Sequence, residues 1–176
     1  AELHIYGAYP TQQILELHNK KEGFLIKGYT ESTNEIIRNI KVVLAPLRFG
    51  AGIKGKLTEA MVFGAPSITT SIGIEGMNES LAWNGFVTDD FDLFAKHSIE
   101  LYSNETIWIE AQKKGIAIIN TIYDKEKIGA LFINKILKIQ KNLKRHREKN
   151  FFGTIIQHQT LQSTKYMSKW IEAKNS

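Results

Sequence analysis

Five short β-like runs, separated mostly by helix-length segments, fill the first ninety residues, and this alternation constrains the fold more than any other feature of the sequence. The runs are Leu3 to Tyr6, Phe24 to Lys27, Lys41 to Ala45, Ser67 to Thr70 and Gly85 to Thr88. Between them lie "TQQILELHNK", "STNEIIRNI" and "GKLTEAMVF". A strand that returns through a helix comes back parallel, since a tight hairpin can only reverse the chain. The pattern therefore predicts an α/β fold, a Rossmann-like parallel sheet flanked by helices. Thr11 and Ser32 stand at helix N-cap positions, and Ser32 with Glu35 has the spacing of a capping box.

From Asp90 onward only helical patterns remain. A long segment from Asp124 to about Lys144 repeats Ile128, Phe132, Ile136, Ile139 and Leu143 along one apolar face. After a linker-like break at Asn150 to Gly153 a last helix follows, whose Ile155, Ile156, Tyr166, Met167, Trp170 and Ile171 read as packing residues. The expected organisation is an α/β domain at 1–149 and a C-terminal helical extension at 150–176.

No apolar run reaches membrane-spanning length, no signal peptide opens the chain, and the lack of cysteine excludes disulfides and thiolate metal sites. Histidines 4, 18, 97, 146 and 158 share no ligand spacing, so no metal site is expected. Asp89 and Asp90 are placed to cap the helix that follows them. The net charge of +5 is concentrated in residues 135–149, which hold seven Lys or Arg and only Glu148 as an acid. Such a block is either a solvated helix face or a surface attracted to anionic lipid headgroups or a phosphate-bearing substrate. A nucleic-acid partner is not expected. The chain runs from Ala1 straight into a strand-like "LHIYG", which reads as a fragment of a longer protein.

The segment that carries chemistry is "VVLAPLRFGAGIKGKLTEAMVFGAPSITT", residues 42–70. Ligands of parallel α/β sheets bind outside the carboxyl ends of the strands, where the loop after Pro46 lies. Gly50, Gly52 and Gly55 leave room for a ligand against the main chain. The next helix directs unpaired N–H groups at that loop, and Lys54 and Lys56 add charge, a combination suited to a phosphate or pyrophosphate. Glu59, one turn into the helix, could accept hydrogen bonds from the vicinal hydroxyls of a sugar; equally, it could be an acid favourably placed near a helix N-terminus. Gly50, Gly55 and Lys56 also fit G-x-x-x-x-G-K, but Leu57 stands where a P-loop needs Ser or Thr, which disfavours an NTPase. Glu75 lies just past a strand's carboxyl end, as a cleft residue or a solvent-facing loop acid.

The same residues carry a family resemblance. The proline after the strand, G-x-G-I-K, E-A-M followed by G-x-P, and T-T-x-x-G-x-E-G resemble the donor-binding half of GT-B glycosyltransferases of the group-1, family-four type. "LHIYGAYP" and "GFLIKGYT" resemble that domain's second and third strands, and "NGFVTDDFDLFAKHSIELYSNETIWIEAQKKGIAIINTIYD" its closing strand and paired helices. The tail from Phe151 resembles C-terminal extensions of bacterial members. The resemblance implies transfer of a hexose from a nucleotide-diphosphate sugar to a glycan or lipid-linked acceptor, in polysaccharide biosynthesis. A cytoplasmic location, peripheral at the inner membrane face through residues 135–149, and no cofactor are expected.

By the same resemblance Glu59 binds the donor ribose, Gly50, Ala51, Gly52, Ile53 and Lys54 line the diphosphate and sugar, and Gly28 and Tyr29 lie near the nucleobase. Many relatives carry a glutamate eight residues before the ribose-binding one, where this chain has Ala51. No residue is assigned the catalytic step. The resemblance also implies an acceptor domain and a first strand of the nucleotide domain that lie outside the segments matched here. The sheet is accordingly expected to lack an interior strand, or to repair the gap by direct pairing or by exchange between chains. The alternatives to a transferase are a nucleotide-sugar-modifying Rossmann enzyme, disfavoured because no G-x-G-x-x-G follows the first strand, and a non-catalytic domain that binds nucleotide, membrane or partner.

Overall fold

The β-branched runs form strands where the sequence places them. In the computed structural model, which describes residues 1–175 apart from the side chains of 157–161, the strands are β1 (Leu3–Tyr6), β2 (Phe24–Gly28), β3 (Val43–Ala45), β4 (Ser67–Thr69) and β5 (Gly85–Val87). Helices α1 (Gln12–Glu16), α2 (Thr33–Arg38), α3 (Gly55–Val62), α4 (Ser71–Ile74), α5 (Phe91–Ser103) and α6 (Glu105–Ile122) connect and cover them. Every pairing between these strands is parallel, as helical crossovers require. The fold is thus the α/β, Rossmann-like arrangement the alternation predicts, followed by C-terminal helices.

The strands divide into two sheets. β1 pairs with β2, and β3, β4 and β5 pair in that order. Direct pairing of β1 with β3, one of the repairs considered for an interior gap, is not present among the described residues. Alternate residues of β3 and β4 enter different clusters, as the two-residue period of a strand dictates. Ala45 joins Leu57, Met61, Met77, Trp83 and Ile118, whereas Ile68 joins Phe94, Leu101 and Ala111. A third cluster, Ile37, Ala60 and Ala65, packs α2 against α3.

Local signals resolve unevenly. Asp90 caps α5, accepting from the amides of Asp92 and Leu93 at 2.9 Å each, while Asp89 instead accepts from the amide of Ser71 at 2.9 Å. Thr11 and Ser32 do occupy N-cap positions, but neither side chain makes a cap hydrogen bond, so the Ser32–Glu35 capping box is not formed.

Chain contacts separate residues 1–123 from residues 124–176; the sequence reading set its boundary at 149/150. The second unit consists of α7 (Lys125–Lys141), α8 (Leu143–Glu148) and α9 (Phe151–Asn175), so the single helix expected up to Lys144 is interrupted at Asn142. Asp124 caps α7 through the amides of Glu126 and Lys127, and these bonds hold its carboxyl below the usual range. None of the described residues of this unit is buried, and Tyr166, Met167 and Trp170, expected to pack, are exposed. The expectations for His158 and Ser176 fall outside the described residues. No described helix is long and apolar enough to cross a membrane.

Candidate functional site

Parallel pairing brings the strand ends together. Tyr6 of β1 lies beside Gly28 of β2, and Ala45, Thr69 and Val87 align at the ends of β3, β4 and β5. Segments 46–54 and 70–77 leave β3 and β4 at this edge and are stitched to each other. Thr69 Oγ1 donates to the Ala45 carbonyl at 2.9 Å, and Thr70 Oγ1 to the Leu47 carbonyl at 2.6 Å. The Lys54 amide donates to Met77 Sδ at 3.3 Å, and its buried side chain reaches the Glu75 carbonyl, Nζ to oxygen 3.1 Å.

Between these anchors the glycine loop is open. Gly50, Ala51, Gly52 and Ile53 are exposed, and a Cβ placed on Gly50, Gly52 or Gly55 would meet nothing within 4 Å. Gly52 has φ 69°, a left-handed conformation that a side chain would strain. Among the described residues the amides of Gly50, Ala51, Gly52, Ile53, Gly55 and Lys56 donate to no acceptor of the chain. The amide of Lys54 is the exception, being held by Met77. Helix α3 begins at Gly55, so the two amides of its first turn face outward from the helix start, where its dipole favours an anion.

Glu59 sits half-buried on α3 beside the N-terminus of α2. Thr33 Oγ1 donates to Glu59 Oε2 at 2.8 Å. Glu59 joins no ion pair among the described residues. Because Thr33 follows the turn that leaves β2, this bond links the Gly28–Tyr29 strand end to the helix behind the glycine loop. Gly28 has φ 73° and open space beside it, and Tyr29 is 72% exposed. Glu75 is exposed, with its carbonyl rather than its carboxylate joined to Lys54.

The P-loop alternative loses its hydroxyls here. Leu57 is fully buried in the core, and Thr58 Oγ1 donates to the Gly55 carbonyl at 2.8 Å. Three of the histidines have local partners. His4 meets Glu2 at 2.8 Å, the His18 ring accepts the Ile26 amide at 3.2 Å, and His97 stacks on Phe86 with centroids 4.2 Å apart. No cluster of three metal-ligating side chains occurs among the described residues.

Sequence reasoning passed over Thr33, Thr69, Thr70, Met77 and Arg48. Arg48 places its guanidinium 5.5 Å from the centre of the Phe91 ring, adding a cation to the loop that follows β3. The paired threonines of "SITT" signalled a polar role at a strand end, whereas nothing in the spacing tied Thr33 to Glu59, 26 residues away.

Comparison with known proteins bears on the fold and the family. No curated protein matches the chain. Among solved structures it is similar in fold to TarM, with a TM-score of 0.60 and 24% identity, over 76% of this chain and 28% of that one. It thus spans a little over a quarter of the length of that structure. The family model of the glycosyl transferases group 1 matches residues 1–104, well over half of the sequence and the whole of the loop and edge just described. The chain belongs to the group 1 glycosyl transferases.

Proposed function

We propose that this chain is the donor-binding part of a glycosyltransferase that moves a hexose from a nucleotide-diphosphate sugar to a glycan or lipid-linked acceptor. The observation that carries the reading is the open glycine loop, with its unpaired amides at 50–53 and 55–56, one turn before a half-buried carboxylate that has no cationic partner. In this reading the diphosphate lies on the amides of Gly50, Ala51, Gly52 and Ile53 and at the start of α3. Lys54 and Lys56 supply positive charge at the loop, and Glu59 accepts hydrogen bonds from the ribose. Gly28 and Tyr29 border the nucleobase. As the sugar leaves, negative charge grows on the diphosphate, and fixed N–H donors stabilise it without reorganising. No cofactor is assigned.

The reading also takes the chain as part of a longer enzyme. The split between the β1–β2 pair and the three-stranded sheet is what a missing interior strand would leave, and the acceptor would be held by a separate domain. The enzyme would act in polysaccharide biosynthesis in a bacterial cytoplasm, and the exposed basic residues of 135–149 would let it rest against anionic lipid.

Calorimetric titration with UDP and GDP tests the site. One of them should bind, and Glu59→Ala should weaken it about ten-fold or more, the scale of one charged hydrogen-bonding group. Equal affinity of both proteins for the nucleotide would remove Glu59 from the site. A transfer assay bears on completeness, since turnover by the 176-residue chain alone would overturn the view that a second domain is required.

A further inference from the structure

Glu59 has one oxygen engaged and one without a partner in the chain. Oε2 accepts from Thr33 Oγ1 at 2.8 Å, while Oε1 has no hydrogen bond among the described residues. A long, unpaired carboxylate on a helix surface ordinarily samples several rotamers, and ordering it on a ligand costs binding free energy. Here the donor holds it beforehand. Thr33 is the first residue of α2, and α2 is packed on α3 through buried Ile37 and Ala60, so the helix bearing the hydroxyl is fixed relative to the one bearing the acid. Threonine is itself stiff at χ1, which limits where its hydroxyl can go. The neighbouring N-cap residue, Ser32, makes no cap bond, leaving Thr33 as the hydroxyl of this helix start that is committed to a partner on another helix.

We propose that Thr33 is a positioning residue for ribose recognition: by holding Oε2 it orients the free Oε1 of Glu59 toward the sugar hydroxyls, and so sets the preference of the site for ribonucleotides over deoxyribonucleotides. This rests on the reading of Glu59 as the ribose-binding acid. Thr33 donates to the carboxylate and makes no bond to the amides of 50–56, so its removal should act on the ribose and leave the phosphate-binding amides unchanged.

The test compares wild type, Thr33→Val, Thr33→Ser and Glu59→Ala for binding of UDP, 2′-deoxy-UDP, GDP, 2′-deoxy-GDP and inorganic pyrophosphate by calorimetry. Val keeps the shape of Thr without the hydroxyl, and Ser keeps the hydroxyl. Thr33→Val should weaken the ribonucleotide about five- to ten-fold, narrow the ribo-to-deoxy preference, and leave pyrophosphate binding as in wild type; Thr33→Ser should restore the preference. A preference unchanged in Thr33→Val, with Glu59→Ala impaired, overturns the role of Thr33 and leaves Glu59 standing. Equal loss of pyrophosphate and nucleotide binding in Thr33→Val also overturns it, since that marks general disruption of the edge. If Glu59→Ala binds like wild type, or wild type binds no nucleotide, the reading of Glu59 fails and takes this inference with it.

Discussion

The β3–β5 sheet and the β1–β2 pair are encoded by the same alternation of strand and helix, yet they are buried to different degrees. All three residues of β4 are buried, with strands on both sides and a cluster on each face. No residue of β1 is buried, β2 buries only Leu25, and α1 buries none. Periodicity sets the type and direction of an element, but how deeply a parallel strand is buried depends on its neighbours and on cover over both faces. A two-stranded parallel pair has little of either.

The sharpest way to break this contrast is to truncate one apolar side chain in each sheet. Ile68→Ala, at a fully buried site, should destabilise the protein by about 2–5 kcal/mol in urea unfolding. Leu3→Ala, where the side chain is 37% exposed, should cost under about 1 kcal/mol. Comparable losses would show that the two sheets share one core. Next in size is Asn84→Ala. Ser67 Oγ donates to Asn84 Oδ1 at 2.7 Å and Asn84 Nδ2 to the Ala65 carbonyl at 3.2 Å, all within buried residues. Removing the amide strands both partners and should cost about 1–3 kcal/mol by thermal unfolding.

Hydrogen exchange sharpens the same point more gently. Amides of the β1–β2 ladder should exchange through smaller openings than those of β4; equal protection would contradict the contrast. The smallest effect is expected in neither sheet. Bonds from the amide and side chain of Lys127 and the amide of Glu126 depress the Asp124 carboxyl below the usual carboxylate range. A depressed carboxyl stabilises the fold above its unfolded pKa and loses that contribution as pH falls through the folded value. Acidification below about pH 4 should therefore fray the start of α7 in a Asp124-dependent way, measurable as helicity that Asp124→Asn does not lose with pH.

Much of the fold was legible because it rests on local periodicity. β1 was located residue for residue, and the other four strands to within two residues at either end, since turn residues and β-branched runs bound them. The interruption at Asn142 was not, because the apolar repeat runs through to Leu143 without a glycine or proline to mark it. The short helix α4 was missed as well, its cap supplied by Thr70, whose hydroxyl also serves the Leu47 carbonyl. At the site, glycine spacing and the single acid one turn on were visible in the sequence. The partners that shape them were not: Thr33 on Glu59 and Met77 on Lys54 are contacts between separate elements, set by packing rather than by spacing.

The pair of bonds from Lys54 to the 75–77 turn carries a consequence for kinetics. A glycine-rich stretch anchored only at its two strand-and-helix ends would close on a ligand as a flap. Tied in addition to the 75–77 turn, through the amide and the ammonium of Lys54 at its helix end, this one has part of its conformational freedom removed during folding instead of at encounter. Capture of an anion should then resemble docking onto a rigid cradle, with an association rate set by diffusion and charge and a residence time set by the contacts themselves.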